Sequence, residues 1–246
     1  MEKKRFAVLM CAEESEYMKK AYGGYFEVFM RMLAEEGETW DVYKVLRGEF
    51  PQDHDLLLYQ GYVITGSCRD AHGNDKWIHD LLTLLRNLDS INKKILGICF
   101  GHQILGRALG GKVIPSPTGW DIGVRTITFS PSLPFALSSL DLPSRLPIIE
   151  CHRDEVRELP VKAEVIAYSD KTGIEMFTYG DHIMGIQGHP EYSKDILLHL
   201  IDRLIQRDYI IDAIAVEARE RINAMWEPDT EAWKRLCVTF LKGPLT

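Results

Sequence analysis

The sequence predicts an α/β fold: a mostly parallel sheet with helices on both faces, built as one domain over residues 1–246. Three observations predict it. The 246 residues and 46% hydrophobic content are enough to bury a full sheet between two helix layers. Short β-rich runs recur, and through the first half they alternate with helical stretches. Turn and stop signals punctuate the changeovers, as a parallel sheet covered on both faces requires.

Taken in order, residues 6–10 (Phe-Ala-Val-Leu-Met) form the first expected strand. Residues 17–36 have helical spacing, broken early by Gly23-Gly24. Residues 61–65 read as a strand running into a turn-rich loop, Gly66 to Gly73. An amphipathic helix is expected over 77–88 and a buried strand over 94–98. A helix over 102–109 follows, stopped by Gly110-Gly111. The middle is β-rich rather than alternating, with strands expected at 123–129, 147–151, 163–168, 173–178 and 182–187. C-terminal helices occupy about 193–242, at 193–207, about 209–225, and from the capping run Asp229-Thr230-Glu231 toward Lys242-Gly243.

Composition narrows the function. Net charge is −7 with the two signs interspersed, and no basic block is present, so a nucleic-acid partner is not expected. No stretch approaches membrane-spanning length, and residues 6–10, after Met1-Glu2-Lys3-Lys4-Arg5, are too short for a signal peptide. Five scattered cysteines with no C-x-x-C pair argue for a reducing, cytosolic compartment without a disulfide framework. The histidines lack ligand-like spacing, so no metal is expected. No phosphate-binding glycine loop of the Gly-x-x-x-x-Gly-Lys-Ser/Thr type occurs, and no cofactor is implied.

The central chemical signal is Gly97-Ile98-Cys99-Phe100-Gly101-His102-Gln103. A lone cysteine after an apolar strand is most often a buried structural residue. Here glycines sit two residues to either side, which suits a sharp turn with Cys99 at its tip. The helix that follows points its positive dipole end at the sulfur and favours the thiolate. A second signal, Gln187-Gly188-His189-Pro190-Glu191-Tyr192, supplies a base. In an extended stretch, residues i and i+2 face the same side, and Pro190 fixes the backbone between them. Glu191 can then brace one ring nitrogen of His189 while the other faces Cys99.

Gly-x-Cys-x-Gly-x-Gln followed about ninety residues later by His-Pro-Glu resembles the class I glutamine amidotransferase family. The resemblance implies a doubly wound, flavodoxin-like sheet, with Cys99, His189 and Glu191 as a triad and a γ-glutamyl thioester on Cys99. It places one oxyanion donor at the Phe100 N–H and the other on a glycine-rich loop, here Thr65-Gly66-Ser67-Cys68-Arg69-Asp70. Ser67 would then donate its N–H, Gly66 would supply flexibility, and Cys68 stands where the family has proline. Gln103 resembles a glutamine of the glutamyl pocket. Cys151-His152-Arg153-Asp154-Glu155-Val156 resembles the family's Ser-His-x-Asp-x-Val segment and places His152 and Asp154 at that pocket. Asp121 resembles the acidic residue of a Gly-x-acidic-x-Gly segment. Cys151-His152 is not expected to be a second catalytic pair, because neighbours on a strand point to opposite faces.

Further segments resemble the plant γ-glutamyl peptidases: residues 20–26 (Lys-Ala-Tyr-Gly-Gly-Tyr-Phe), Gly48-Glu49-Phe50-Pro51, Glu158-Leu159-Pro160 and Phe240-Leu241-Lys242-Gly243. That resemblance implies hydrolysis of glutathione or its S-conjugates to glutamate and a Cys-Gly conjugate, with no obligatory synthase partner. Gly188, where amidotransferases often carry an aromatic, is expected to leave room for the larger leaving group. Tyr22, Tyr25 and Trp120 are expected to line the mouth of the site and take the sulfur substituent. Two other readings stay open: an ammonia-donating glutaminase subunit, and a non-catalytic γ-glutamyl-binding module.

Overall fold

The computed structural model describes residues 4–131, 133, 135–225 and 227–243; Met1-Glu2-Lys3 lie outside the described residues. The first expected strand forms as β1 (Arg5–Leu9), buried from Phe6 onward. The helical stretch after it is two helices, α1 (Glu16–Tyr22) and α2 (Tyr25–Leu33), parted at Gly23-Gly24. Gly23 takes φ 82°, and its N–H and that of Gly24 bond back to the Lys19 and Met18 carbonyls. That double closure ends α1 and needs a left-handed residue.

β2 (Thr39–Tyr43) was not expected. It is an edge strand, and its Asp41 accepts a 2.7 Å hydrogen bond from Arg5 of β1, so it lacks the apolar run that betrays a buried strand. β3 (Gly61–Ile64), α3 (Lys76–Ser90), β4 (Lys94–Ile98) and α4 (Phe100–Ala108) follow the expected alternation. α4 begins two residues earlier than the expected 102, directly after Cys99.

The middle is β-rich, as its sequence suggests. β5 (Lys112–Pro115) comes first, then β6 (Asp121–Phe129), the short α5 (Phe135–Ser138) and β7 (Arg145–His152). β8 (Asp154–Glu158), β9 (Ala163–Tyr168), β10 (Met176–Tyr179) and β11 (Ile183–Ile186) complete it. β5 and β8 form a separate two-stranded ribbon, and neither was legible in the sequence. The last three helices are α6 (Lys194–Gln206), α7 (Asp212–Ala224) and α8 (Thr230–Lys242). Ser193 and Asp229 cap α6 and α8 by accepting from the Ile196 and Ala232 N–H groups.

The main sheet has nine strands in the order β2-β1-β3-β4-β11-β10-β9-β6-β7. The run β2-β1-β3-β4-β11 is parallel, and the strands from β10 to β7 continue it antiparallel. Side-chain alternation along the central strands feeds two cores. Phe6, Val8, Leu96 and Ile98 point toward α2 and α8, where Trp233 is fully buried and donates its indole N–H to the Pro147 carbonyl at 2.8 Å. Ala7, Leu9, Ile64 and Ile95 point the other way, toward α3 and α4. A third core lies under α6 and α7, against Ile122 and Val124 of β6 and Ile149 of β7. The sheet is thus covered on both faces, as its apolar runs demanded.

Among the described residues, no helix is long and apolar enough to cross a membrane, and no group of His, Cys, Asp and Glu could hold a metal ion. All five cysteines are free.

Candidate active site

Adjacent parallel strands converge at their carboxyl ends on one place. β3 runs into Thr65-Gly66-Ser67, β4 into Cys99, and β11 into Gln187-Gly188-His189. Ligands in open parallel sheets characteristically bind at this edge.

Cys99 sits at φ 52°, ψ −102°, a conformation that costs an L-residue on the order of 1–3 kcal/mol. The turn is held from both sides: the Cys99 N–H donates to Ile186 O at 2.8 Å, and its carbonyl accepts from the Gln103 N–H at 3.0 Å. The flanking glycines are there for close approach. A Cβ on Gly97 would lie 2.5 Å from Gly101 O, and one on Gly101 would lie 2.4 Å from Ile64 O.

His189 is tied to β7 by its N–H, which donates to Ile149 O at 2.7 Å. Its Nδ1 lies 2.8 Å from Glu191 Oε1, and the Glu191 side chain is only 1% exposed. On its other side the ring faces Cys99, whose sulfur is close enough to act on its charge. Burial opposes charge on the ring, but the Glu191 carboxylate and the Cys99 sulfur outweigh it and push its pKa up to about 10. Burial pushes the Cys99 thiol up while His189 pulls against it. Glu191 and the Cys99 sulfur thus both favour the charged form of the His189 ring.

Gly66 presses against this pair: a Cβ there would meet His189 Cε1 at 2.8 Å and Cys99 Cβ at 3.7 Å. Only a glycine lets the loop approach so closely. Ser67 follows it in the same cavity wall. Phe100 is the first residue of α4, where a backbone N–H has no carbonyl one turn earlier to pair with. Its side chain is buried and stacks on Trp77, with ring centroids 5.5 Å apart.

A cavity of ≈ 450 Å³ opens over Cys99 and His189, within the range of ~300–1,000 Å³ usual for small-molecule sites. Gly66, Ser67, Gln103, Trp120, Tyr25, His152 and Asp154 all line it. The Gln103 amide donates to Asp154 O at 2.8 Å and to Gln187 Oε1 at 3.2 Å, so it ties α4 to β8 and β11. His152 is buried, with Nδ1 2.9 Å from Asp154 O. The Asp154 carboxylate is 3.0 Å from His72 Nδ1, and burial raises its pKa. Asp121 lies buried outside this wall, held by Arg125 at 2.7 Å.

Two expectations need correction. Tyr22 is not at the mouth. It closes α1 and donates to Asp195 Oδ2 at 2.6 Å, in a smaller recess of ≈ 210 Å³ behind Pro190 and Glu191. Gly188 does not leave room for a leaving group either. A Cβ there would lie 2.4 Å from Glu150 Oε1 and 2.8 Å from Ile148 Cδ1, so Gly188 lets the His189 segment pack on β7.

Other residues were missed. Tyr192 stacks on the His189 ring, centroids 4.1 Å apart and planes within 5°, and limits its rotation. Three places after His189, it was available to a reading of the turn. Glu150 and Glu175 are buried carboxyls behind the site, both pushed well above the usual carboxylate range by burial, with Glu150 Oε2 3.3 Å from His152 Nε2. Nothing in an apolar strand context announces them. Cys68 is exposed, and its sulfur accepts from Arg207 Nη1 at 3.6 Å, with no histidine as its partner. Cys68→Ala should therefore change kcat/KM by less than about threefold, since a weak N–H···S contact is all it loses. Steady-state kinetics check this, and a loss as complete as that from removing the Cys99 sulfur would make Cys68 part of the chemistry.

The fold is that of glutamine amidotransferases. It matches the crystal structure of a glutamine amidotransferase from Thermotoga maritima with TM-score 0.71 at 21% identity, over 98% of each chain. The family model for class I glutamine amidotransferases matches residues 18–197. Among curated relatives, γ-glutamyl peptidase 5 of Arabidopsis thaliana is 48% identical over 98% of this chain and 97% of its own. γ-Glutamyl peptidase 3 of the same plant is 44% identical over 98% of both chains. The chain belongs to the class I glutamine amidotransferase family.

Proposed function

We propose that this chain is a γ-glutamyl peptidase that works through a thioester on Cys99 and cleaves glutathione or its S-conjugates. Whole-chain kinship with γ-glutamyl peptidases makes it a hydrolase. The observation that carries the finer reading is the buried line Cys99–His189–Glu191 beneath an open cavity, with the 2.8 Å Nδ1–Oε1 contact at its far end.

In this reading, the Cys99 sulfur attacks the γ-carbonyl carbon and its proton passes to His189. The carbonyl π electrons move onto oxygen, which the Phe100 and Ser67 N–H groups receive. The C–N bond then breaks as His189 gives its proton to the departing amine, leaving a thioester. A water enters, His189 takes its proton, and the second tetrahedral intermediate expels the thiolate. Glutamate leaves, and the proton on His189 returns to Cys99. Gln103, His152 and Asp154 hold the glutamyl end, while Tyr25 and Trp120 face the group beyond the scissile bond. The cycle uses no cofactor, nucleotide or second polypeptide. The scattered, unpaired cysteines support a reducing, cytosolic setting.

A glutaminase reading shares the acyl half of this chemistry and differs only in the leaving group, ammonia in place of a peptide amine. A substrate series separates them. For the peptidase, kcat/KM should vary only severalfold among glutathione S-conjugates, because apolar contacts differ by about 1–3 kcal/mol at most. It should fall by a factor of at least ~10³ for an α-glutamyl isomer, which leaves the polar glutamyl pocket unpaired. A strong preference for free glutamine would return the site to the glutaminase reading.

A further inference from the structure

The cavity has a charge pattern that the acyl chemistry does not use. Acids and arginines both line it. Asp154 is engaged by His72 at 3.0 Å, and Asp70 is near enough to raise the Asp154 pKa further. Of the four arginines on its lining, Arg203 and Arg207 stand four residues apart, on α6 and in the loop just after it. Residues spaced by four share a helix face, so both guanidiniums point into the same wall. Among the described residues, the Arg203 Nη1 hydrogen-bonds only to the Tyr25 hydroxyl, at 3.4 Å, and the Arg207 Nη1 only to the Cys68 sulfur, at 3.6 Å. Neither forms an ion pair among the described residues, although Arg219 and Arg221 on neighbouring α7 pair with Asp202 and Glu217. Two guanidiniums without carboxylates, facing a cavity lined by Tyr25, Trp120 and Tyr209, suit an anionic ligand group.

The position indicates which anion. Departure of the amine requires a proton from His189, so the leaving group lies on the His189 side. A chain of contacts runs outward from that ring. His189 stacks on Tyr192 at 4.1 Å, Tyr192 lies 6.3 Å from Tyr25, and Tyr25 meets Arg203. Arg207 reaches the loop that carries Ser67, one residue beyond it at Cys68. Both arginines also lie past residues 18–197, the part matched by the family model. Handling of the γ-glutamyl group is common to that family, so residues outside it are free to serve what differs, the leaving group.

Resting on the peptidase reading, we infer that Arg203 and Arg207 form a subsite for the free C-terminal carboxylate of the departing peptide. Ammonia carries no such group, so the subsite sets γ-glutamyl peptides apart from glutamine.

The test compares S-methylglutathione with its C-terminal glycine amide, in the wild type and in Arg203→Gln and Arg207→Gln. The wild type should prefer the acid over the amide by roughly tenfold or more in kcat/KM, the scale of a charge-assisted hydrogen bond, and mainly through KM. Each variant should bring the ratio of acid to amide toward one, and Arg207→Lys should restore part of it. Equal rates for acid and amide in the wild type would overturn the subsite. A fall in both substrates alike in the variants would overturn it too, by assigning the arginines to the glutamyl α-carboxylate. Turnover of glutamine with no peptide cleaved would overturn the peptidase reading, and this inference with it.

Discussion

Cys99→Ala is expected to lower turnover of any γ-glutamyl substrate by at least on the order of 10⁴-fold, because the covalent route disappears. No other thiol can take its place. Cys11 and Cys237 are fully buried, and burial holds both thiols protonated. Burial likewise pushes Cys151 up to about 12. Cys68 is exposed, but its one side-chain hydrogen-bond partner among the described residues is a guanidinium, which cannot accept a proton. The substitution should leave the fold intact. Alanine is no larger than cysteine, and the turn is held by backbone bonds from Cys99 N to Ile186 O and from Gln103 N to Cys99 O. Mass spectrometry of quenched reactions should find a glutamyl adduct on the wild type and none on the variant, with both melting at about the same temperature. Near-normal turnover in the variant would refute the thioester mechanism.

What could be read from the sequence was what local geometry determines. A cysteine between glycines at the end of an apolar strand specifies a turn whose shape needs no distant partner. That His189 and Glu191 pair was legible from their closeness in sequence, but not how: they meet at 2.8 Å across a turn that the Tyr192 N–H closes on the His189 carbonyl, not along an extended stretch. β1, β3 and β4 announce themselves because both faces of a central strand are buried. β2 and β8 do not: Thr39–Tyr43 lies at the sheet edge, and Asp154–Glu158 is rich in charge although Asp154 and Glu155 are buried. Here a tertiary contact overrides the pattern, since the distant His72 meets Asp154 at 3.0 Å. Tyr22 and Tyr25 fall on either side of the break at Gly23-Gly24, and only the break's three-dimensional shape sends one to Asp195 and the other to the cavity. The arginine pair was invisible for the same reason. A helical i, i+4 pair of arginines ordinarily faces water, and it faces the site only because α6 folds back against β7.

Gly101→Ala should be the most damaging single-methyl change in the molecule's centre. The added Cβ would lie 2.4 Å from Ile64 O and 3.0 Å from Ile64 C and Cβ, and none of these is the end of a flexible side chain. Ile64 is the last residue of β3, paired with Leu9 on one side and Gly97 on the other, so its carbonyl cannot withdraw without moving the sheet. Relief must come from lifting α4 away from β3. Overpacking of this kind costs about 1–3 kcal/mol and sometimes more, or roughly 2–12 °C in melting temperature for a chain of this size. The displacement also acts on the chemistry. α4 carries the Phe100 N–H, and Ile64 leads directly into Thr65-Gly66-Ser67, so one methyl separates the two proposed oxyanion donors. A misplacement of ~1 Å there is enough for a rate loss on the order of 10²-fold. Gly173→Ala is the matched control, since its Cβ would meet nothing within 4 Å and its φ is ordinary. Thermal melts and kcat/KM for both variants decide the matter. If Gly101→Ala is as stable and as active as Gly173→Ala, the glycines beside Cys99 are not there for close approach, and the turn must be held by something other than the contact between α4 and β3.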